Sequence, residues 1–340
     1  MPLPLVITSN AAVGRRWASH ATGILAGLAA GITFLFGALD LASAGSVTAG
    51  ASAHNPLAVD IGIMATAVIA ATLASKPVRD RAARVLPIDP DSPVHALALV
   101  LAVILFGTQL SSILFADVLA SDQALSPLTL GDLITQEAPF LILAAAGVGL
   151  YIRRNPLITA ERLGLVVPRW WHVALALAAA GVFFAFGQLM DGLTHLWMPT
   201  VARQVDSTTQ HLFGGLGTPA GIAALALAPG ICEEVLFRGA LQPRLGLIVT
   251  ALLFTSIHTQ YGISFDALSV FVIAIGLGLI RKYTNTTASC ICHVTYNLVV
   301  GIGIGSELLG LAVAIELGLL ALCAYAVWSN RRRAALRANP

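Results

Sequence analysis

Long apolar stretches recur along the whole chain, with short polar segments between them. A helix needs about 20 mostly apolar residues to cross the hydrocarbon core of a bilayer. Within lipid, such a stretch must satisfy its own backbone polar groups, and uninterrupted runs of this length do so as helices. Ten stretches qualify, at residues 21–43, 58–75, 95–120, 134–152, 171–196, 218–243, 246–262, 266–281, 286–304 and 306–328. The sequence therefore predicts an all-α polytopic membrane protein with about ten transmembrane helices.

The composition agrees with this prediction. Of the 340 residues, 57% are hydrophobic and only 11% are charged, whereas soluble domains carry about 25% charged residues. The net charge of +2 is too small to predict a nucleic-acid partner, so we expect the lipid bilayer to be the main surrounding of the chain. The cysteines all lie in apolar stretches, which predicts buried thiols rather than a disulfide framework: Cys232, Cys290, Cys292 and Cys323.

Cationic residues cluster at the ends of the apolar stretches. If ten spans alternate, every cluster falls on the same face: residues 15–16, 76–84, 153–154, 238–244, 281–282 and 331–333. The positive-inside rule makes that face cytoplasmic, so both termini are predicted to be cytoplasmic. We expect three regions along the chain: four N-terminal spans without an assigned role (1–155), a core rich in intramembrane polar residues (156–305), and a last span with a basic cytoplasmic tail (306–340).

The segment ICEEVLFR places two carboxylates and a guanidinium inside an apolar stretch. Ionised side chains at membrane depth are costly unless they are paired, so such a cluster marks a functional site by default. Glu234 and Arg238 are four residues apart and share a helix face, which predicts an ion pair that supports the helix. Glu233 is rotated by about 100° from Glu234 and lacks such a partner. We therefore expect Glu233 to be the reactive carboxylate, a general base or acid.

Two further pairs of residues at helical spacing follow, Phe254 with His258 and His293 with Asn297. An imidazole can hold or relay a proton, and the amide of Asn297 can donate to an oxyanion. With a rise of about 1.5 Å per residue from the cationic ends, Glu233 and both histidines reach the middle of the bilayer. We therefore expect one shared polar cavity whose groups fit amide hydrolysis by activated water. The chain contains no serine-nucleophile, aspartyl or HExxH zinc motif.

Three short segments, EEVLFR (233–238), FTSIH (254–258) and HVTYN (293–297), resemble the EExxxR, FxxxH and HxxxN motifs of the CPBP family. That family contains the type II CAAX prenyl endopeptidases and the bacterial bacteriocin-processing and immunity proteins. All three motifs occur in the order of the family, and the resemblance covers residues 160–305.

The resemblance implies a division of roles among these residues. Glu233 and His258 would activate the attacking water, while His293 and Asn297 would form the oxyanion site. The supporting pair would be Glu234 and Arg238. Apart from the resemblance, Phe237 and Phe254 are more typical of packing residues than of chemistry, and both are candidates for lining the substrate groove. The first four spans and the last one receive no role from the resemblance.

The resemblance also implies a substrate class. Family members cleave isoprenylated C-terminal tails in eukaryotes. For a bacterial chain of this kind we expect a membrane-associated peptide or protein as substrate, cut in the plasma membrane. The family has been described both as metal-dependent and as metal-independent. Because the sequence has no ligand spacing typical of zinc, we expect no catalytic metal, with a divalent metal such as zinc as the alternative.

Other interpretations stay open on the sequence alone. A proton-coupled transporter could use a relay of intramembrane acids, for which the candidates are Asp40, Asp117, Asp191 and Glu316. Pro229 and Gly230, just before the glutamates, could break the sixth helix, which suits either a transporter or a water-filled protease cavity. A membrane immunity protein of the same fold could keep the motifs without catalysis. In the simplest alternative, His258 and Asn297 are ordinary hydrogen-bonding residues between helices, and the charged cluster is a buried ion network.

Overall fold

The computed structural model describes residues 2–43 and 55–338. Within these ranges the secondary structure is helical and no strand is formed. The helices are α1 (Leu3–Ala11), α2 (Arg16–Ala42), α3 (Pro56–Leu73), α4 (Lys76–Ala82), α5 (Pro93–Phe115), α6 (Val118–Gln123), α7 (Leu130–Val148), α8 (Pro156–Leu163), α9 (Trp170–Trp197), α10 (Pro199–Phe213), α11 (Pro219–Glu234), α12 (Gln242–Ser256), α13 (Phe265–Tyr283), α14 (Thr286–Ile302) and α15 (Leu309–Ala338). A π-helical segment, Val235–Leu241, joins α11 to α12. The prediction of an all-α polytopic membrane protein is confirmed.

Six helical runs in the described part of the chain are long and apolar enough to cross a membrane: His20–Ala42, Pro56–Leu73, Pro93–Phe115, Trp170–Trp197, Pro219–Ser256 and Leu309–Ser329. The predicted spans at 134–152, 266–281 and 286–304 correspond to α7, α13 and α14, which are shorter or more polar. The number of ten spans and the side on which each terminus lies therefore stay predictions.

Local signals end several helices earlier than the apolar pattern predicts. The stretch expected at 95–120 ends as a helix at Phe115, because Asp117 accepts a hydrogen bond from the backbone N–H of Ala120 and begins α6. The long run from Pro219 to Ser256 is divided at Gly246, whose φ of +80° belongs to the left-handed region that favours glycine. This break lies at the boundary that the sequence predicted between the spans 218–243 and 246–262.

The helices pack as two groups that α7 connects. In the N-terminal group, α2, α3 and α5 contact one another. In the C-terminal group, α14 contacts α9, α11 and α13, and α13 contacts α9 and α12. Helix α5 also contacts α12 directly. Helix α7 packs against α1 on one side and against α11 and the π-helical segment on the other. Helix α15 packs on α9 but leaves most of its apolar surface exposed, as a lipid-facing helix does. The four cysteines are free thiols, as predicted.

Candidate active site

The carboxylate of Glu234 is the centre of a fully buried polar cluster at the end of α11. Its Oε1 lies 2.8 Å from Nη1 of Arg238 and 3.0 Å from Nδ1 of His293. Its Oε2 accepts a hydrogen bond from the hydroxyl of Ser289. An ionised carboxylate only accepts hydrogen bonds, so Nδ1 of His293 is the donor. An ion pair with Arg238 and two hydrogen bonds from α14 thus compensate the cost of burying this charge.

Arg238 is buried at the same depth, with 1% of its surface exposed. Its guanidinium carbon lies 4.1 Å from the centre of the Phe254 ring, an arrangement typical of a cation–π contact. Nη2 also donates to the carbonyl oxygen of Ala274 at 3.3 Å. The residue lies in the π-helical segment, and such segments are rare and often occur at functional sites. Arg238 therefore ties α11, α12 and α13 together.

His258 lies two residues after Ser256, the last residue of α12. Its ring still stacks on that of Phe254, with centroids 4.6 Å apart, although the pair does not lie within one continuous helix as predicted. Nδ1 of His258 lies 2.8 Å from the carbonyl oxygen of Phe254, so Nδ1 carries the proton and donates it. In the neutral ring the other nitrogen, Nε2, is then an acceptor that can take up a proton. The side chain is half-buried, so one edge of the ring can meet solvent or substrate.

The ring of Phe254 packs against both histidine rings. Its ring centroid lies 4.6 Å from that of His258, 6.0 Å from that of His293 and 5.3 Å from that of Phe237. Both phenylalanines are almost completely buried. Their ring contacts are those of packing residues, as expected, and they hold both imidazoles in place, whereas a role of either ring in lining the substrate groove stays a prediction.

Glu233 points away from the Glu234 cluster. Only 5% of its surface is exposed, and its Oε2 has no hydrogen-bond partner among the described residues. It lies within electrostatic range of Arg238 and of Tyr261, three residues after His258. Within the described ranges, no hydrogen bond joins Glu233 to either histidine. Glu233 is thus a buried carboxylate whose Oε2 has no hydrogen-bond partner in the described part of the chain, next to the helix face that carries the Glu234 cluster.

Asn297 lies one turn beyond His293 on α14, and the structure gives it a partner that the sequence did not indicate. Its Nδ2 donates to the backbone carbonyl of Leu225 over 3.4 Å. That carbonyl lacks its usual helical donor, because residue 229, four positions later, is a proline without an N–H. Pro229 therefore does not break α11, contrary to the interpretation left open above, and Asn297 contributes to satisfying the carbonyl that the proline leaves free.

In the described part of the chain, one group of side chains away from the Glu234 cluster could hold a metal ion. Ligand atoms of Asp191, His195 and Asp206 lie within 4.8 Å of one another on α9 and α10. These side chains already bond to each other, with Nε2 of His195 3.1 Å from a carboxylate oxygen of Asp206. Glu233, His258 and His293 do not converge in this way within the described ranges. The expectation of metal-independent chemistry stays a prediction.

A cavity of about 770 Å³ lies between the N-terminal helices and the core. Its walls include Phe140 and Phe237, and its polar edge includes Arg162 and Arg244. Burial, together with the positive charge of Arg244 and of further arginines nearby, lowers the pKa of Arg162 to about 10. Phe237 also contacts Phe254, whose ring packs against both histidines. The side chain of Phe237 therefore lies between this cavity and Phe254.

Gly230 allows α11 and α14 to approach closely next to His293. A β-carbon on Gly230 would lie 2.6 Å from Cγ2 of Val294 and 2.9 Å from the backbone nitrogen of the same residue. Gly230→Ala must therefore push the helices apart, and we expect a loss of about 1–3 kcal/mol in the free energy of unfolding. Thermal unfolding of the purified variant measures this loss. Gly192→Ala in α9, where a β-carbon meets nothing within 4 Å, is the matched control and should not destabilise the protein; equal behaviour of the two variants would contradict the close-contact argument.

Ser289 is a residue of this site that the motif analysis missed. It donates to Glu234 from a position four residues before His293, on the same face of α14. The spacing Ser289, His293, Asn297 continues the helical period of the HxxxN motif by one turn, so a signal was present in the sequence. The structure thus brings Glu234, Arg238, Ser289 and both histidines into one cluster, with Glu233 and Asn297 at its edges.

Comparison with known proteins bears on this same part of the chain. Residues 215–299 match the family model described as type II CAAX prenyl endopeptidase, Rce1-like. This range begins just before α11 and includes all three motifs, from Glu233 to Asn297. Residues 215–299 are an Rce1-like domain. The resemblance to the CPBP family is confirmed over this range, and the domain is of the CAAX protease type.

One curated relative matches a larger part of the chain. The uncharacterized protein YpbD of Bacillus subtilis (strain 168) is 28% identical over 149 residues, which cover 43% of this chain and 74% of that protein. No solved structure matches the chain. The multi-pass membrane location therefore rests on the apolar helices together with the Rce1-like domain.

Proposed function

We propose that this chain is an intramembrane endopeptidase that hydrolyses a peptide bond with water activated by Glu233 and His258. The observation that carries the proposal is the division of labour between two adjacent glutamates. Glu234 is engaged by an ion pair and two hydrogen bonds, whereas Glu233 keeps a buried oxygen without a partner in the described ranges. A base must have a free lone pair in a site of low polarity, and Glu233 meets this requirement.

In the proposed reaction, Glu233 accepts a proton from water while the water oxygen forms a bond to the carbonyl carbon of the substrate. The resulting oxyanion accepts hydrogen bonds from the amide of Asn297 and from Nε2 of His293 when both nitrogens of that ring are protonated. As the tetrahedral intermediate collapses, the C–N bond breaks and the amine leaves with a proton relayed from Glu233 through Nε2 of His258. The hydrogen bond from His258 to its own helix fixes the tautomer that this relay requires.

Glu234, Arg238 and Ser289 would not react with the substrate in this proposal. They hold His293 through its Nδ1, so that its Nε2 points in one direction. Part of the amide of Asn297 is engaged by Leu225, which leaves its second N–H for an oxyanion. No step requires a metal ion.

We propose as substrate a membrane-associated peptide or protein of the bacterial plasma membrane. The relative from Bacillus subtilis supports a bacterial setting. The cavity next to Phe237 supports approach of the substrate from the side where the arginines cluster, with Phe237 at its inner end. This gives Phe237, rather than Phe254, the role of lining the substrate path.

Terminal proteomics on cell membranes tests the proposal. Membranes from cells with the intact protein should contain peptide termini that are missing from cells with Glu233→Gln. The termini identify the substrate as well as the activity. Glu161→Gln, an exposed glutamate on α8, is the matched control and should leave every such terminus in place.

Identical termini with intact protein and with Glu233→Gln, at equal expression, would contradict the protease proposal. Uptake of a solute into proteoliposomes that depends on Glu233 would then favour the transporter. Protection of cells against a bacteriocin by the Glu233→Gln variant would favour the immunity scaffold.

A further inference from the structure

A third carboxylate, outside the Rce1-like domain, faces Glu233. Glu137 and Phe140 are three residues apart on α7, and Glu233 and Phe237 are four apart on α11 and its π-helical continuation, so each pair shares one helix face. The rings of Phe140 and Phe237 are in edge-to-face contact, with centroids 6.1 Å apart. Leu128, just before α7, donates its backbone N–H to the carbonyl of Leu212, which precedes α11, so the two helices begin on the same side and run in the same direction. Because each glutamate precedes its phenylalanine by one turn, the ring contact places Glu137 and Glu233 at the same level of two neighbouring helices. One turn further along, Ala240 packs against the buried cluster that contains Ala144.

Burial and charge agree with this placement. Glu137 is 8% exposed and Glu233 is 5% exposed, and Oε2 of each has no hydrogen-bond partner among the described residues. The charged groups within electrostatic range of Glu233 are Glu137, Glu234 and Arg238. The other titratable groups on this side are Cys232, which both glutamates influence, and Tyr261.

Two carboxylates that face each other in a buried site cannot both be ionised without a cation between them. The nearest cation, Arg238, is already paired with Glu234 at 2.8 Å. A single proton shared by the two groups resolves the conflict, because the protonated carboxyl donates a short, charge-assisted hydrogen bond to the ionised one.

We propose that Glu137 and Glu233 form a carboxyl dyad that holds one proton, and that Glu137 is the positioning residue of the pair. The catalytic part of this inference rests on the function proposed above, whereas the dyad itself does not. Glu137–COOH donates to Glu233–COO⁻ and thereby orients the oxygen that removes the proton from water. That proton then passes to the leaving amine, and the proton of Glu137 stays in place. The N-terminal region, to which neither motif nor family gave a role, supplies this residue.

Infrared spectroscopy of the purified full-length protein in detergent tests the dyad without any substrate. At neutral pH the C=O stretch of a protonated carboxyl group should be present, and both Glu137→Gln and Glu233→Gln should remove the same band. Glu161→Gln should leave it unchanged. A band lost only in the Glu233→Gln protein, or in neither variant, would overturn the inference. Size-exclusion and thermal unfolding profiles verify that each variant is folded, and Glu137→Asp, which keeps a carboxyl group, should retain the band.

The pH profile of cleavage separates this inference from the proposed function. A dyad is active with one proton, so the rate of the intact enzyme should fall on both sides of an optimum. In Glu137→Gln the pair can no longer lose a second proton. The fall of the cleavage rate on the alkaline side of the optimum should therefore move to higher pH. An unchanged profile would overturn the positioning role. If the infrared band behaves as expected but no peptide is cleaved, the dyad stands and the protease proposal fails.

Discussion

His258→Ala is expected to reduce the rate of peptide cleavage by about 10²–10⁴-fold, the range typical for loss of a group that transfers protons in the transition state. The physical reason is the free Nε2 of this ring, which is defined by the hydrogen bond from Nδ1 to the carbonyl oxygen of Phe254. Because His258 follows α12 and is half-buried, its removal should not disturb the Glu234 cluster. Single-turnover cleavage of the substrate found by terminal proteomics measures the effect.

The matched control for this prediction is His211→Ala on α10. His211 is also half-buried and also bonds a backbone carbonyl, that of Leu125, but it lies on a different helix pair. The His211→Ala protein should retain the full cleavage rate. A His258→Ala protein that is folded and cleaves as fast as the control would remove His258 from the mechanism.

Glu234→Ala is expected to destabilise the protein by about 3–5 kcal/mol, as is typical when one partner of a buried ion pair is removed. The change leaves the guanidinium of Arg238 buried without its counterion and takes the acceptor away from Ser289 and His293. Denaturant or thermal unfolding in detergent measures the loss. The exposed pair of Lys76 and Asp80 offers the control, since Asp80→Asn should change stability by less than about 0.5 kcal/mol.

A double variant shows whether the loss comes from the unpaired charge. Glu234→Leu combined with Arg238→Met replaces both charges by apolar side chains, and this should recover most of the stability that Glu234→Ala loses. A double variant that is no more stable than the single one would mean that packing around Ser289 and His293, rather than the buried guanidinium, dominates the effect.

Much of the fold could be predicted from the sequence, because helical spans depend on short-range properties. Apolar length predicted the positions of α2, α3, α5, α9 and α15, and the change near residue 245 predicted the break at Gly246. The ends of helices were less accurate. The prediction continued α5 to residue 120, whereas a side-chain cap at Asp117 ends the apolar helix at Phe115.

For the site, the sequence predicted only contacts between residues of the same helix, because these follow the helical period. Spacing of four residues indicated the ion pair of Glu234 with Arg238, and the structure contains it. Contacts between different helices had no such signal. The hydrogen bond from Asn297 to the carbonyl left free by Pro229 joins residues 72 positions apart, and the phenylalanine contact that aligns Glu137 with Glu233 joins α7 to the π-helical segment.

The sequence by itself determined that this chain is a helical membrane protein with acid, imidazole and amide groups at membrane depth. It did so because hydrophobic length and the periodicity of the α-helix are local properties. Helical spacing also predicted that Glu234 pairs with Arg238 and that Glu233 has no such partner. Only the tertiary structure decided which groups from other helices surround the two glutamates, because contacts between distant segments leave no periodic signal. Helix α14 brings the donors Ser289 and His293 to Glu234, and α7 packs next to Glu233 through the contact of Phe140 with Phe237.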